Sequence, residues 1–301
     1  MVDLSTKIGS LSLPNPTILA SGIMDEDSGS MKRILDSGAG AVVTKSIGLK
    51  PRAGHPNPTF VELDHGILNA MGLPNPGINA YLEELKEMKS YKGIIIGSIF
   101  GSISEDFVYI ARKMSSFVDA FELNLSCPHA KGYGLEIGQN PSFVAEITKT
   151  VTDSVSQPVF VKLSAQVNDI SKIGIAAEKA GSAGIVAINT LKAMSINLDL
   201  ETPVLGNILG GYSGEAIKPI GVRSVFELYR HVTIPIIGVG GITTGEDAIE
   251  YIMAGASGVQ IGTALYHRGV NVFKQICNEI KNWMSDHDYD SITDLIGVAH
   301  Q

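Results

Sequence analysis

A cysteine, two lysines and a set of asparagines stand where apolar runs of this sequence end. Cys127 lies in "NLSCPH", three residues past Asn124, and the polar, glycine-rich run "HAKGYGLEIGQNP" follows its proline. A cysteine so placed can act as a nucleophile, a metal ligand or a general base, because a thiolate also removes a weakly acidic C–H proton. The plainer alternative is a small, partly buried hydrophobe. No CxxC or HExxH accompanies it, so no metal site is expected. Cys277 belongs to the stripe Val270, Phe273, Ile276, Cys277, Ile280, Trp283, and is expected in the core of a final helix.

Lys45 closes "VVTKS" and Lys162 lies inside "VFVKL". A lysine in an apolar strand is unfavourable unless its ammonium meets an anion or a polar cavity. Snorkelling, or an ion pair with a core carboxylate such as Glu122, would also satisfy it. Two such lysines on different strands favour a shared anionic ligand, and a flavin that becomes anionic on reduction suits them. Asn124 and Asn189 end strands, and Asn69 sits in "GILNAMGLPNPG". Each alone reads as a turn or cap residue. Together at one end of a barrel they outline a polar pocket for a planar heterocycle, since an amide both donates and accepts.

The elements that must hold these residues are short apolar runs: 17–20, 41–44, 94–98, 120–125, 159–163, 185–189, 236–240 and 258–262. Several are apolar throughout, as parallel strands buried on both faces are. Helical patterns occupy 104–116, 141–154, 169–180, 219–231 and 245–254. Eight strands, most followed by helices, predict an α/β fold of the (β/α)8 TIM barrel type. A doubly wound sheet is the rival, but its glycine-rich phosphate turn follows the first strand. Here "GVGGI" (238–242) and "QIGTA" (260–264) follow the last two, where barrels bind phosphate through backbone N–H groups. Ordinary turn glycines are the alternative, and the pairing on adjacent strand ends favours phosphate. Segments 45–92 and 190–218 are too long for simple connections and read as insertions at the C-terminal face of the strands. A single domain over 1–301 is expected, without repeats or linkers.

The composition excludes several classes. With net charge −8 and no dense basic cluster, nucleic acid and anionic membrane are poor partners. Two cysteines make no disulfide framework. No signal pattern opens the chain and no apolar run suits a membrane helix, so a cytoplasmic protein is expected.

In order along the chain stand "ASG", "TKS", "LNAMGLPNPG", "NLSCP", "VKLS", "INT", "GGYSG", "IKP", "GVGGI" and "GTA". Each is weak alone; ten in one order are specific, and they resemble the soluble, FMN-dependent dihydroorotate dehydrogenases over nearly the whole chain. "GILNAMGLPNPG" is most similar to the catalytic subunit of the NAD-linked, two-subunit class. The resemblance implies one FMN per chain, lined by Ser21, Lys45, Ser46, Ser98, Asn124, Lys162, Ile188, Gly214, Gly240, Gly241, Gly262 and Thr263. It implies that Lys45, Asn69, Ala70, Met71, Gly72, Leu73, Asn124, Asn189 and Thr190 hold the pyrimidine and its carboxylate. Cys127 would be the base for the C5 proton of dihydroorotate while hydride leaves C6, a step of de novo pyrimidine (UMP) biosynthesis. It further implies a homodimer joined by a subunit carrying FAD and a 2Fe–2S cluster, a heterotetramer that passes electrons to NAD. Two positions depart from the family pattern: His129 and Ser98 stand where asparagine is usual. "NLSCPH" also resembles the flavin domain of dihydropyrimidine dehydrogenase. That enzyme, a single-subunit fumarate-linked dihydroorotate dehydrogenase and a non-catalytic flavin-binding barrel are the alternatives.

Overall fold

A computed structural model of the chain describes residues 2–125 and 138–301. Cys127 and His129 lie outside the described residues. Eight parallel strands close into a barrel in sequence order: Thr17–Leu19 (β1), Ala41–Val43 (β2), Ile94–Ile99 (β3), Ala120–Asn124 (β4), Val159–Leu163 (β5), Gly184–Ala187 (β6), Ile236–Val239 (β7) and Ala256–Ile261 (β8). Helices follow them in turn: Ser28–Asp36 (α1), Ile78–Met88 (α2), Ser104–Met114 (α3), Pro141–Thr152 (α4), Ile170–Lys179 (α5), Lys218–Tyr229 (α6), Gly245–Met253 (α7) and Val272–Asp286 (α8). The expected (β/α)8 barrel is therefore the fold.

Alternation along each strand divides the side chains between two layers. Leu19, Val42, Ile95, Phe121, Val161 and Ile185 point outward and pack with the helices in the main core. Ile18, Ala41, Val43, Ile96, Phe160, Val186 and Ile237 point inward. A hairpin of Thr6–Ile8 and Leu11–Leu13 closes the N-terminal end of the barrel, adding Ile8, Leu11 and Leu13 to that inner cluster. The inner layer changes character one step further up the strands. Ser98, Glu122, Lys162 and Gln260 are all buried there, so the barrel is apolar at the bottom and polar at the C-terminal mouth.

Local sequence explains the helix ends that frame this mouth. Asp27 caps α1 by accepting the Ser30 N–H at 2.8 Å, and Asn140 caps α4 ahead of Pro141. Thr244 and Asp247 form a reciprocal capping box at α7. Helix α8 buries Phe273, Ile276, Cys277 and Ile280, the expected stripe, and Cys277 Sγ lies 3.8 Å from Thr17 Oγ1.

The two insertions make one structure. Phe60–Leu63 and Gly66–Asn69 from the first join Leu191–Ala193 and Gly210–Ser213 from the second in a four-stranded antiparallel sheet. Its central pairing sets Gly211 opposite Asn69. Leu68, Ala70 and Leu205 give this sheet a small core of its own. Among the described residues no helix is long and apolar enough to cross a membrane.

Candidate active site

The polar mouth of the barrel and the inserted sheet enclose a cavity of about 390 Å³. That is within the range of about 300–1,000 Å³ usual for small-molecule sites. It brings together Ser21, Lys45, Ser46, Asn69, Met71, Gly72, Leu73, Asn124, Lys162, Ile188, Asn189, Thr190, Gly214, Gly240, Gly241, Gly262 and Thr263. Two expected residues stand off the wall. Ser98 is buried behind Ser46, with the two hydroxyl oxygens 2.8 Å apart, because its inward position lies one layer below the mouth. Ala70 faces the core of the inserted sheet, as alternation after Asn69 requires.

Ser46 ties three strand ends together. Its Oγ lies 3.2 Å from Ser21 Oγ and accepts from Asn124 Nδ2 at 3.1 Å, besides the contact to Ser98. Asn124 Oδ1 is buried with no hydrogen-bond partner among the described residues. A buried acceptor left so costs about 1–3 kcal/mol, and on a cavity wall it is positioned to take an N–H from a ligand.

The lysines differ in their surroundings. Lys162 Nζ lies 3.3 Å from Glu122 Oε1 and 3.1 Å from Gln260 Oε1, and Gln260 Nε2 donates to the other Glu122 oxygen. The core ion pair weighed from sequence is present, and Lys162 still reaches the cavity wall. Lys45 Nζ lies 3.0 Å from Glu26 Oε1; Lys45 is 9% exposed at its side chain and Glu26 69%.

At the opposite end, Gly240 (φ 127°) and Gly241 (φ 70°) turn the chain in a region that favours glycine. A Cβ on Gly241 would stand 2.8 Å from Gly214 O. Tyr251 OH supports the turn from behind, donating to Gly240 O at 2.7 Å. Burial pushes the Tyr251 pKa upward, which keeps it a donor. Gly238 serves packing instead, since a Cβ there would come 2.4 Å from the Tyr251 ring. Thr263 Oγ1 donates to Ser213 Oγ at 2.8 Å, fixing the turn after β8 to the inserted sheet. In the first insertion Asn75 accepts the Gly77 N–H at 2.9 Å and donates to Leu73 O at 2.9 Å, so it shapes the loop that presents Met71 to Leu73.

Sequence reasoning passed over Gln260, Phe60, Tyr266, Asp25 and Glu26. Gln260 carried a usable signal, a polar residue inside the apolar run "GVQIG", as Lys162 does in its own. Phe60 and Tyr266 line the cavity with ring centroids 5.4 Å apart. The strand Phe60–Leu63 and the short helix Ala264–Arg268 that carry them meet only in the folded chain.

A parallel barrel with paired glycine turns after β7 and β8, and cationic and amide groups at the same mouth, defines a barrel enzyme built for a phosphate-bearing cofactor and a planar substrate. The family model described as dihydroorotate dehydrogenase matches residues 3–284. The chain is 50% identical over 296 residues to the catalytic subunit of dihydroorotate dehydrogenase B (NAD(+)) of Pyrococcus abyssi, covering 98% of this chain and 99% of that one. It is 51% identical over 302 residues to the protein of the same description from Methanocaldococcus jannaschii, covering 99% and 98%. A crystal structure of the Eimeria tenella dihydroorotate dehydrogenase with ferulenol shares the fold, with a TM-score of 0.88, 24% identity, and coverage of 99% of this chain and 89% of that one. The chain belongs to the dihydroorotate dehydrogenase family. It is an FMN-dependent oxidoreductase that oxidises dihydroorotate in pyrimidine biosynthesis.

Proposed function

We propose that residues 1–301 form one barrel domain whose cavity holds one FMN beside dihydroorotate, and that the reduced chain passes its electrons to NAD through a partner subunit. The observation that carries this reading is the convergence of Lys45, Asn124 and the turns Gly240–Gly241 and Gly262–Thr263 on one cavity. The residues fit a flavin nucleotide. A Cβ built on Gly22 would meet nothing within 4 Å, and one on Gly262 only Ala20 Cβ at 3.6 Å. Both glycines line the cavity, so side chains there would fill the space a ligand needs.

FMN, when bound, supplies the hydride acceptor for C6 of dihydroorotate. The chain supplies the rest. The glycine turns and Thr263 hold the phosphate end, with Ser21, Ser46, Lys162, Ile188 and Gly214 along the ring system. Lys162 faces the flavin while its charge stays balanced by Glu122. Lys45 attracts the substrate carboxylate, and Asn69, Asn124, Asn189 and Thr190 hydrogen-bond the pyrimidine edge. Cys127 takes the C5 proton. A free thiol has a pKa of ~8.5, so proton removal quickens as pH rises toward that value.

The relatives are described as catalytic subunits of an NAD(+) enzyme. This supports a partner that carries FAD and a 2Fe–2S cluster, joined to a homodimer of this chain as a heterotetramer. Reconstitution with such a partner should yield NADH from dihydroorotate, whereas rapid turnover of the chain alone with fumarate would favour the single-subunit class. Anaerobic stopped-flow mixing tests the site. Dihydroorotate should bleach the bound flavin and dihydrouracil should not; the reverse would assign a dihydropyrimidine dehydrogenase-type site. Cys127→Ala should retain FMN and slow bleaching by roughly 10²–10⁴-fold, the worth of a positioned general base.

A further inference from the structure

We propose that Asp25, which does not touch the cavity, is a positioning residue for Lys45 and for the Ser21–Met24 turn of the cavity wall. This rests on the reading of Lys45 as the group that meets the substrate carboxylate.

Asp25 is fully buried. One carboxylate oxygen accepts the Gly22 N–H, closing the turn whose Ser21, Gly22 and Ile23 line the cavity. The other, Oδ1, has no hydrogen-bond partner among the described residues. The main-chain oxygen accepts twice, from Lys45 N–H at 3.2 Å and Tyr81 OH at 2.7 Å. Asp25 thus knots three pieces of chain: the turn after β1, the residue that follows β2, and α2.

An asparagine would keep this shape and the Gly22 bond without a buried charge. The charge is what an asparagine lacks, and it acts on Lys45. Burial pushes the Asp25 carboxyl up from 3.8 to about 6; the Lys45 ammonium and the Gly22 N–H pull it down, and Glu26 pushes it up. Ionisable groups that face Asp25 are Lys45 after β2, Glu26 on its own turn and Tyr81 on α2, with Glu84 beyond Tyr81. Lys45 also has the exposed Glu26 at 3.0 Å. Among the described residues the ion-pair partner of the Lys45 ammonium is exposed, and such a partner by itself fixes it poorly. The Asp25 carboxylate, buried and anchored by the Gly22 N–H, attracts the ammonium from a place that cannot swing away, and the Lys45 N–H bond to the Asp25 main chain holds the residue beside it. A buried ionised group that burdens the fold and faces a ligand-binding lysine marks a functional role.

The folded protein holds the Asp25 proton more tightly than the unfolded chain does. Stability therefore falls as pH rises from about 3.8 to about 6 and stays at the lower level above. Asp25→Asn removes that penalty while weakening the hold on Lys45.

The test is Asp25→Asn in the FMN-loaded protein, read in two ways. Thermal unfolding without substrate should match wild type below about pH 4 and occur at higher temperature at pH 7.5. Flavin reduction at saturating dihydroorotate should slow at pH 7.5 by roughly 10–100-fold, the scale of an ångström-level misplacement. A residue that only braced the fold would give a less stable variant and an unaltered rate. Lower stability at pH 7.5, or a wild-type rate, would overturn the proposal. Wild type alone supplies a further arm if the variant does not fold. Its reduction rate should fall with one more proton below about pH 6 than the thiol of Cys127 requires, and a one-proton slope from pH 5 to 7.5 would also overturn it. Failure of dihydroorotate to reduce wild type would refute the reading of the site, and the stability comparison would still decide whether Asp25 carries a buried charge.

Discussion

Lys45 and Lys162 reach the same cavity from two different kinds of support. Lys162, near the C-terminal end of β5, meets Glu122 on the neighbouring strand β4 and Gln260, which reaches it across the barrel from β8. The three side chains are buried inside the barrel, with Lys162 and Gln260 at the cavity wall. Lys45 follows β2 and meets Glu26 on an exposed turn, with a buried carboxylate behind. One lysine is part of the barrel's architecture, and the other is tethered at its rim. The difference teaches that a shared position on a cavity wall does not mean a shared role. A buried triad keeps its charge paired within the barrel, whereas a rim lysine has an exposed partner that it can exchange for another anion.

Stability measurements separate the two, and the largest effect belongs to the triad. Lys162→Met leaves Glu122 buried without its cation and should cost about 3–5 kcal/mol by denaturant unfolding. Replacing all three members with apolar residues of similar volume should recover most of that loss, because the penalty lies in the unpaired charge. Lys45→Met should cost less, since its ion-pair partner Glu26 is exposed and remains hydrated and the buried Asp25, with its raised pKa, can take up a proton rather than stand as an unpaired charge. Glu26→Gln should have the smallest effect. It should leave the unfolding midpoint within about 0.5 kcal/mol of wild type and tighten dihydroorotate binding by a few-fold at most. A Lys45→Met protein as destabilised as Lys162→Met would erase the distinction.

The same contrast governs what the sequence disclosed. Residues set by strand alternation were legible. The eight strands fall within two residues of their expected bounds, because continuous apolar runs and terminal glycines mark them. Lys162 was legible for the same reason, as a charge inside "VFVKL", and Glu122 was a natural partner. The rim was harder. Helix α1 carries glycine and serine in "SGSMKRILD" and depends on its Asp27 cap, so its periodicity is faint. Helix α2 was lost in the glycine- and proline-rich first insertion, although Ile78, Tyr81, Leu85 and Met88 form a proper buried stripe. Asp25 and Glu26 lie in "MDEDSG", which reads as a solvated acidic turn. Only the packing of α2 against that turn shows that one of its carboxylates is buried. The common sheet of the two insertions was likewise invisible, because cross-strand pairs such as Gly211 with Asn69 join distant segments of chain. The resemblance narrowed the readings of Asn69 and Cys127, whose local patterns leave several roles open.

The measurement that bears most directly on the account is the reduction of FMN-loaded Lys45→Met by dihydroorotate, followed anaerobically over a range of substrate concentration. The variant is expected to fold and to keep its FMN. It needs far more dihydroorotate for half-maximal reduction and is reduced roughly 100-fold more slowly, as loss of a charge-paired and oriented substrate requires. Reduction at the wild-type rate, with unchanged dependence on dihydroorotate, would show that the carboxylate is held elsewhere and that Lys45 is not the substrate-facing lysine.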